Sequence, residues 1–421
     1  MTPISPFAIR DYRYYWIGRL AWMLGQSAMM LIVGWQVYNV ARAEGMSIGA
    51  ASAQLGLVGL IQFVPLFALT PVTGWVADRM DRRQIGQATA AVQFLAAALL
   101  AWFTAAGTIT LPVLFLAAFL LGIARAFAGP ALGALAPNLV PKESLPSAIA
   151  LSAIAWQAGF VVGPGLGGYL YAWRPDAPYV LAAGLFLVSL ATLLLIGPVP
   201  RPEIDRERHP IRQMVDGLAY VRTNRLVLAA ITLDLFAVFL AGATALLPVY
   251  ARDILQVGPE GLAQLGAAPA LGATLTAILF SFRPLKTDVG TKMLGAVIVF
   301  GIATVAFGLS TWMPLSLAAL FVVGASDMFS VYVRQSLIQL STPDSMRGRV
   351  GAVSQLTISA SNELGEAESG FLAALVGPVV AVVAGGVGAI AVTLLWARAF
   401  PELRRARTFD APDEPPREGA T

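Results

Sequence analysis

The chain has 421 residues, of which 57% are hydrophobic and 12% charged, with a mean hydropathy of +0.72. A soluble protein carries about 25% charged residues; at half that share a surface of this size cannot be wetted, which excludes a soluble enzyme, a secreted scaffold and a disordered chain. The net charge of +4 then belongs to loops facing anionic lipid, and a nucleic-acid site is not expected. With no Cys and only His209, the sequence offers no thiolate nucleophile, disulfide or paired-His metal site, so no cofactor or metal is expected.

A spanning helix needs about 20 mostly apolar residues. Such runs recur twelve times, near 16–40, 53–76, 85–105, 111–135, 147–171, 178–198, 226–250, 261–281, 293–311, 313–337, 350–373 and 376–397. They are continuous rather than alternating, which predicts helices and not a β-barrel. The fold class expected is an all-α membrane protein of twelve transmembrane helices in two six-helix halves. Lys and Arg gather at the N-terminus, in the even-numbered loops and in the tail, while the odd loops hold only Arg42, Arg174 and Arg252. That asymmetry places both termini in the cytoplasm.

The first half, 1–198, contains three segments of interest. After the second span stands Gly74-Trp-Val-Ala-Asp78-Arg79-Met-Asp81-Arg82-Arg83; Arg125 lies in span four; span five carries Gly159-Phe-Val-Val-Gly163-Pro164-Gly165-Leu-Gly167-Gly168. Glycines at four-residue spacing make a small-residue stripe that lets helices approach closely in lipid, and Pro164 interrupts the hydrogen-bond ladder. The linker, 199–225, repeats Ile211, Met214, Val215, Leu218 and Val221 at helical spacing, which predicts an amphipathic helix on the cytoplasmic interface.

In the second half, 226–397, Asp234 falls in span seven, Asp327 in span ten, and Glu363, Glu366 and Glu368 in span eleven. The tail, 398–421, is polar enough to be disordered. Leu139-Val-Pro141-Lys-Glu-Ser before span five parallels Ser341-Thr-Pro343-Asp-Ser before span eleven, a weak internal repeat of the kind found in carriers that rock around a midplane site. A P-loop needs Lys after Gly, and Lys142, Lys286 and Lys292 follow Pro141, Leu285 and Thr291. Transport would therefore run on an ion gradient or on the cargo's own.

The segment at 74–83, Arg125 with its neighbours to Gly129, and the span-five glycine run resemble the loop signature, the span-four arginine motif and the exporter motif of the major facilitator superfamily. The resemblance covers nearly the whole chain, and the stretch Thr342-Pro-Asp-Ser-Met-Arg-Gly-Arg349 is similar to its bacterial siderophore and drug exporters. It implies a proton-coupled exporter of a small amphipathic molecule in the inner membrane, working by alternating access as a monomer among lipids. It also implies that Gly74, Asp78, Arg79, Arg82 and Arg83 form a conformational latch against span eleven, and that Gly159, Gly163, Pro164, Gly167 and Gly168 form a gating helix. A nutrient importer or a lipid flippase is the competing reading.

A charge at the bilayer centre costs about 2.5–3.5 kcal/mol on insertion scales, so each needs a partner, a wet cavity or a proton. Arg19 and Arg334 lie close enough to the cytoplasmic ends to snorkel. Arg125 is too deep for that and is expected to face the cavity. Glu363 and Glu366, three apart, share a helix face on which both cannot ionise cheaply. Asp327 or the Glu363/Glu366 pair is thus expected to carry the coupled proton with Arg125 as modulator, the alternative being hydrogen-bonded glue between helices. Asp234, Glu368, Gln26 and Trp156 are expected to line the substrate cavity.

Overall fold

The computed structural model describes residues 5–198 and 210–409, with the side chains at 71, 74, 75, 77, 78, 130, 134, 210–213 and 345 left outside the description. The described residues are helical, without a strand. In chain order they form α1 (Arg10–Ala43), α2 (Ile48–Arg79), α3 (Arg82–Ala105), α4 (Leu111–Leu135), α5 (Leu145–Trp173), α6 (Ala177–Leu195), α7 (Pro210–Thr223) and α8 (Arg225–Leu240). There follow a short α9 (Leu247–Val249), α10 (Gly258–Phe282), α11 (Val289–Leu309), α12 (Met313–Leu340), α13 (Asp344–Val376), α14 (Pro378–Ala399) and α15 (Pro401–Arg405).

Eleven segments among the described residues are long and apolar enough to cross a membrane. The one expected span not among them, 350–373, lies in α13, whose 33 residues exceed a bilayer's need. Its three glutamates, Glu363, Glu366 and Glu368, are what set it apart from the other long helices.

The helices gather into two compact units that do not follow the linear halves. Unit 1 holds α1 to α6 together with Thr244–Ala270 and Gly370–Pro378; unit 2 holds α7, α8, Leu271–Ser369 and Val379 onward. The changes of unit fall inside long elements. One comes where span seven breaks, after α8 ends at Leu240 and a 3₁₀ turn covers Ala243–Leu246. Another comes one residue after Pro269, inside α10. Beyond its break, span seven ends in a π-helical turn, Tyr250–Ile254, a local irregularity common at functional places.

In unit 1, the span-five glycines explain the tightest packing. A Cβ on Gly159 would stand 2.6 Å from Met23 Cβ, one on Gly163 2.6 Å from Ser27 Cβ, and one on Gly167 2.9 Å from the Ala28 carbonyl. These three therefore seat α5 on α1. Gly168 does not share that stripe: its Cβ would meet the Pro259 carbonyl at 2.5 Å and Ala263 Cβ at 2.5 Å. One residue is a 100° turn, so Gly168 and Pro164, four apart, present a second face toward α10, where Pro164 Cβ packs beside Gly266.

Unit 2 has its own core of Leu233, Ala237, Met293, Val297, Phe300, Val333 and Leu337 between α8, α11 and α12. The linker helix α7 turns Val221 inward and leaves Val215 and Leu218 exposed. Asp216 pairs with Arg349 at 3.2 Å, and the Tyr220 hydroxyl donates to the Ser341 carbonyl at 2.9 Å. Ile211, part of the expected stripe, has its side chain outside the description.

The tail is not uniformly disordered. Its first part folds as α15 and then runs across the start of α11, where the Gly290 amide donates to the Ala406 carbonyl at 3.0 Å and the Val289 amide to the Arg407 carbonyl at 3.4 Å. The first amides of a helix have no partner of their own, and the tail supplies one. Leu403 is fully buried in the same contact. Residues 410–421 lie outside the described residues.

Candidate functional site

The span charges expected to matter fall in both units. In unit 2, Asp234 on α8 is buried and ion-paired with Arg334 on α12, which is buried as well. Arg334 therefore does not snorkel. A buried carboxylate needs a counter-charge more than a guanidinium near a helix end needs water. Beside the pair lies a pocket lined by Asp234, Ala237, Val238, Val297, Phe300, Ser326, Asp327 and Ser330, with room for about one water molecule. Ser326, Asp327 and Ser330 reach it from one face of α12, because residues three and four apart stack on a helix. Asp327 is half-buried there, and among the described residues it makes no ion pair.

The structure thus brings Asp234 and Asp327 to one pocket, a pairing that the sequence reading does not make. Glu363 is buried on α13, and Glu366 and Glu368 are half-buried. Ser369 donates from its hydroxyl to Glu368 at 3.4 Å. None of the three glutamates lines the described pocket. Close packing carries this stretch onto α8: a Cβ on Gly365 would stand 2.9 Å from the Phe239 carbonyl.

In unit 1, Arg125 on α4 donates to Gln62 Oε1 on α2 at 3.2 Å. Gln26 accepts from Gln93 at 2.8 Å, and Gln93 in turn accepts from the Trp22 indole at 2.5 Å. This buried chain ties α1 to α3 through Gln26. Trp156 is exposed and leans on Phe160 with ring centroids 5.3 Å apart. In the 74–83 segment, the side chains of Gly74 and Asp78 lie outside the described residues. Arg79 is exposed at the end of α2, and Arg82 opens α3 half-buried. Arg83 donates to the Ile196 carbonyl at 2.5 Å, placing a cation at the C-terminus of α6 within its own unit.

A second polar cluster was not anticipated. At the Arg42 end of α1, the Tyr38 hydroxyl donates to Asp253 at 2.5 Å and Arg42 pairs with the same carboxylate at 3.4 Å. Arg252 donates to Asn39 Oδ1 at 2.5 Å, and its guanidinium lies 6.0 Å from the Tyr38 ring. All of these join α1 to the π-helical turn within unit 1. Their only trace in the sequence was the presence of Arg42 and Arg252 in loops otherwise poor in basic residues. Between α5 and α6, Arg174 holds Asp176 in a two-pronged pair, and these hydrogen bonds keep the Asp176 carboxyl below its ordinary range. Among the described residues, no three His, Asp or Glu side chains gather as metal ligands.

The family model described as Major Facilitator Superfamily matches residues 23–365. The chain belongs to that superfamily. As a facilitator with eleven membrane-length helices among the described residues, it is a multi-pass membrane transporter. Its relatives include proteins named Enterobactin exporter EntS from Shigella boydii and Escherichia coli, each 28% identical over 362 residues, which covers 84% of this chain and 85% of the relative. Among solved structures, a bacterial homolog of the human lysosomal transporter Spinster, in an inward-facing and occupied conformation, matches with a TM-score of 0.71 at 16% identity, covering 93% of this chain and 97% of that one. A D-xylose–proton symporter matches with a TM-score of 0.69 at 15% identity, covering 94% and 98%. At such identities the likeness is one of fold.

Proposed function

We propose that this facilitator exports a small amphipathic organic molecule, a siderophore or a drug-like compound, across the inner membrane in exchange for protons. The observation that carries the reading is the pocket in unit 2, where two carboxylates and two hydroxyls sit within apolar helices. Buried acids are costly in lipid unless they bind something or exchange protons. Asp327, half-buried and without an ion-pair partner among the described residues, is the group we assign to the proton. Glu363 and Glu366 are the second choice and Arg125 the modulator; Asp234, Glu368, Gln26 and Trp156 remain the residues assigned to the cargo side. The relatives' name supplies the siderophore half of the cargo class, and the span-five glycine run supports the outward direction.

Alternating access follows from the plan of two six-helix halves, with α13 as the twelfth crossing and both termini cytoplasmic. In that orientation the Tyr38–Asp253–Arg42 cluster and the α5 faces toward α1 and α10 lie on the outer side. They would close it while the carrier faces inward. The latch at 74–83 would act on the cytoplasmic side, and the protein would work as a monomer in contact with lipid.

The test is uptake into inside-out vesicles from cells expressing the chain, energised by a pH gradient, with enterobactin and ethidium as probes. Accumulation that a protonophore abolishes supports the reading. Accumulation indifferent to the gradient would remove the proton coupling, and uptake of either probe by right-side-out vesicles would reverse the direction.

A further inference from the structure

The pocket in unit 2 is lined by two carboxylates, Asp234 and Asp327, and one guanidinium, that of Arg334, pairs with Asp234 beside it. Its third wall, from α11, is made by Val297 and Phe300 and brings no charge. One cation for two acids leaves one carboxylate to be neutralised by a proton at any moment, and the two sites titrate as a coupled pair. Arg334 is seven residues beyond Asp327 on α12, so the two lie on the same face about 10 Å apart along the axis. Ser330 stands between them, three residues from one and four from the other.

Two unsatisfied atoms mark that path. Arg334 Nε and Ser330 Oγ are both buried, and among the described residues neither has a hydrogen-bond partner. A buried donor left without a partner is costly, so a second arrangement that satisfies it is favoured. We infer that Arg334 is a positioning residue that exchanges partners, from Asp234 in this structure to Asp327 in a second state, with the Ser330 hydroxyl bridging the move.

The exchange is balanced. In the first state Asp234 is ionised against Arg334 and Asp327 carries the proton. A proton arriving on an Asp234 oxygen breaks the pair, the guanidinium moves one turn toward Ser330 and Asp327, and Asp327 releases its proton. One proton enters and one leaves, the guanidinium stays charged throughout, and each state is neutral. The pocket would thereby hand a proton from the α8 side to the α12 side instead of merely storing it.

This rests on the proposed role of Asp327, so the experiment separates the two. Purified full-length protein in proteoliposomes receives an acid jump outside, and proton uptake into the lumen is followed with a pH dye trapped inside, a reading that needs no cargo. Ethidium efflux from proteoliposomes under a pH gradient is the second reading, and thermal melting the third. Ser330→Ala leaves both charges in place. It is expected to slow uptake and efflux by about ten-fold, the equivalent of 1.4 kcal/mol, with melting unchanged, and Ser330→Thr, which keeps the hydroxyl, should restore both. Wild-type kinetics in Ser330→Ala overturn the exchange, and so does a loss of flux that tracks a fall in melting temperature. In either case Asp327→Asn reports on the underlying assignment: lost proton uptake keeps Asp327 as the carrier, and undiminished uptake removes that too.

Discussion

Asp234 and Arg334 neutralise each other inside unit 2, with 5% and 2% of their surfaces exposed. Removing one member of such a pair strands the other, at a cost of about 3–5 kcal/mol. Arg334→Leu should therefore lower the melting temperature of the purified protein strongly. The double variant Asp234→Asn with Arg334→Leu should recover most of the loss. A single variant as stable as wild type would mean that the pair is not desolvated.

The α1–α5 interface makes a steric prediction. Gly163→Ala forces a Cβ to within 2.6 Å of Ser27 Cβ, whereas a Cβ on Gly165 meets nothing within 4 Å. Overpacking costs about 1–3 kcal/mol, so Gly163→Ala should melt earlier and Gly165→Ala should not. Equal melting of the two variants would contradict the packing described.

The cluster around Asp253 predicts a change in access. Because the chain has no Cys, a single Ala41→Cys reports on one buried position at the Arg42 end of α1. Adding Asp253→Asn removes the acceptor shared by Tyr38 and Arg42 and should raise labelling by an impermeant maleimide roughly several-fold, as local opening becomes cheaper. Unchanged labelling would show that the cluster does not hold this end closed.

Asp176 carries a pH dependence whose sign follows from its partner. Hydrogen bonds from Arg174 lower the folded-state pKa of Asp176 below the unfolded one. The stabilisation is therefore fully present above the unfolded value and lost as pH falls through the folded one. Arg174 is largely exposed, so the effect is small. Melting curves should show Arg174→Ala less stable than wild type at neutral pH, with the gap closing in acid. A gap that widened in acid would reverse the assignment.

Much of this was legible in the sequence because lipid permits few backbone solutions. Continuous apolar runs gave the helices, and the α5 glycines gave a close contact. What remained hidden was set by azimuth and partner choice. Gly168 is one residue from Gly167 and faces another helix. Arg334 lies near enough to a helix end to suggest snorkelling, and only the fold shows Asp234 waiting for it, although its seven-residue spacing from Asp327 was already a sign of a shared face. The bond that Gln26 accepts from Gln93, 67 residues away, had no local signal. Tyr38 and Asp253 are 215 residues apart and had no local signal to join them.

The most direct test of the account is proton-driven uptake of enterobactin or ethidium into inside-out vesicles carrying Asp327→Asn, beside Glu363→Gln and Glu366→Gln. The account predicts that Asp327→Asn abolishes accumulation against a gradient while the protein still folds and inserts. Undiminished accumulation in all three variants would contradict it and leave the oil-buried acids as architecture alone.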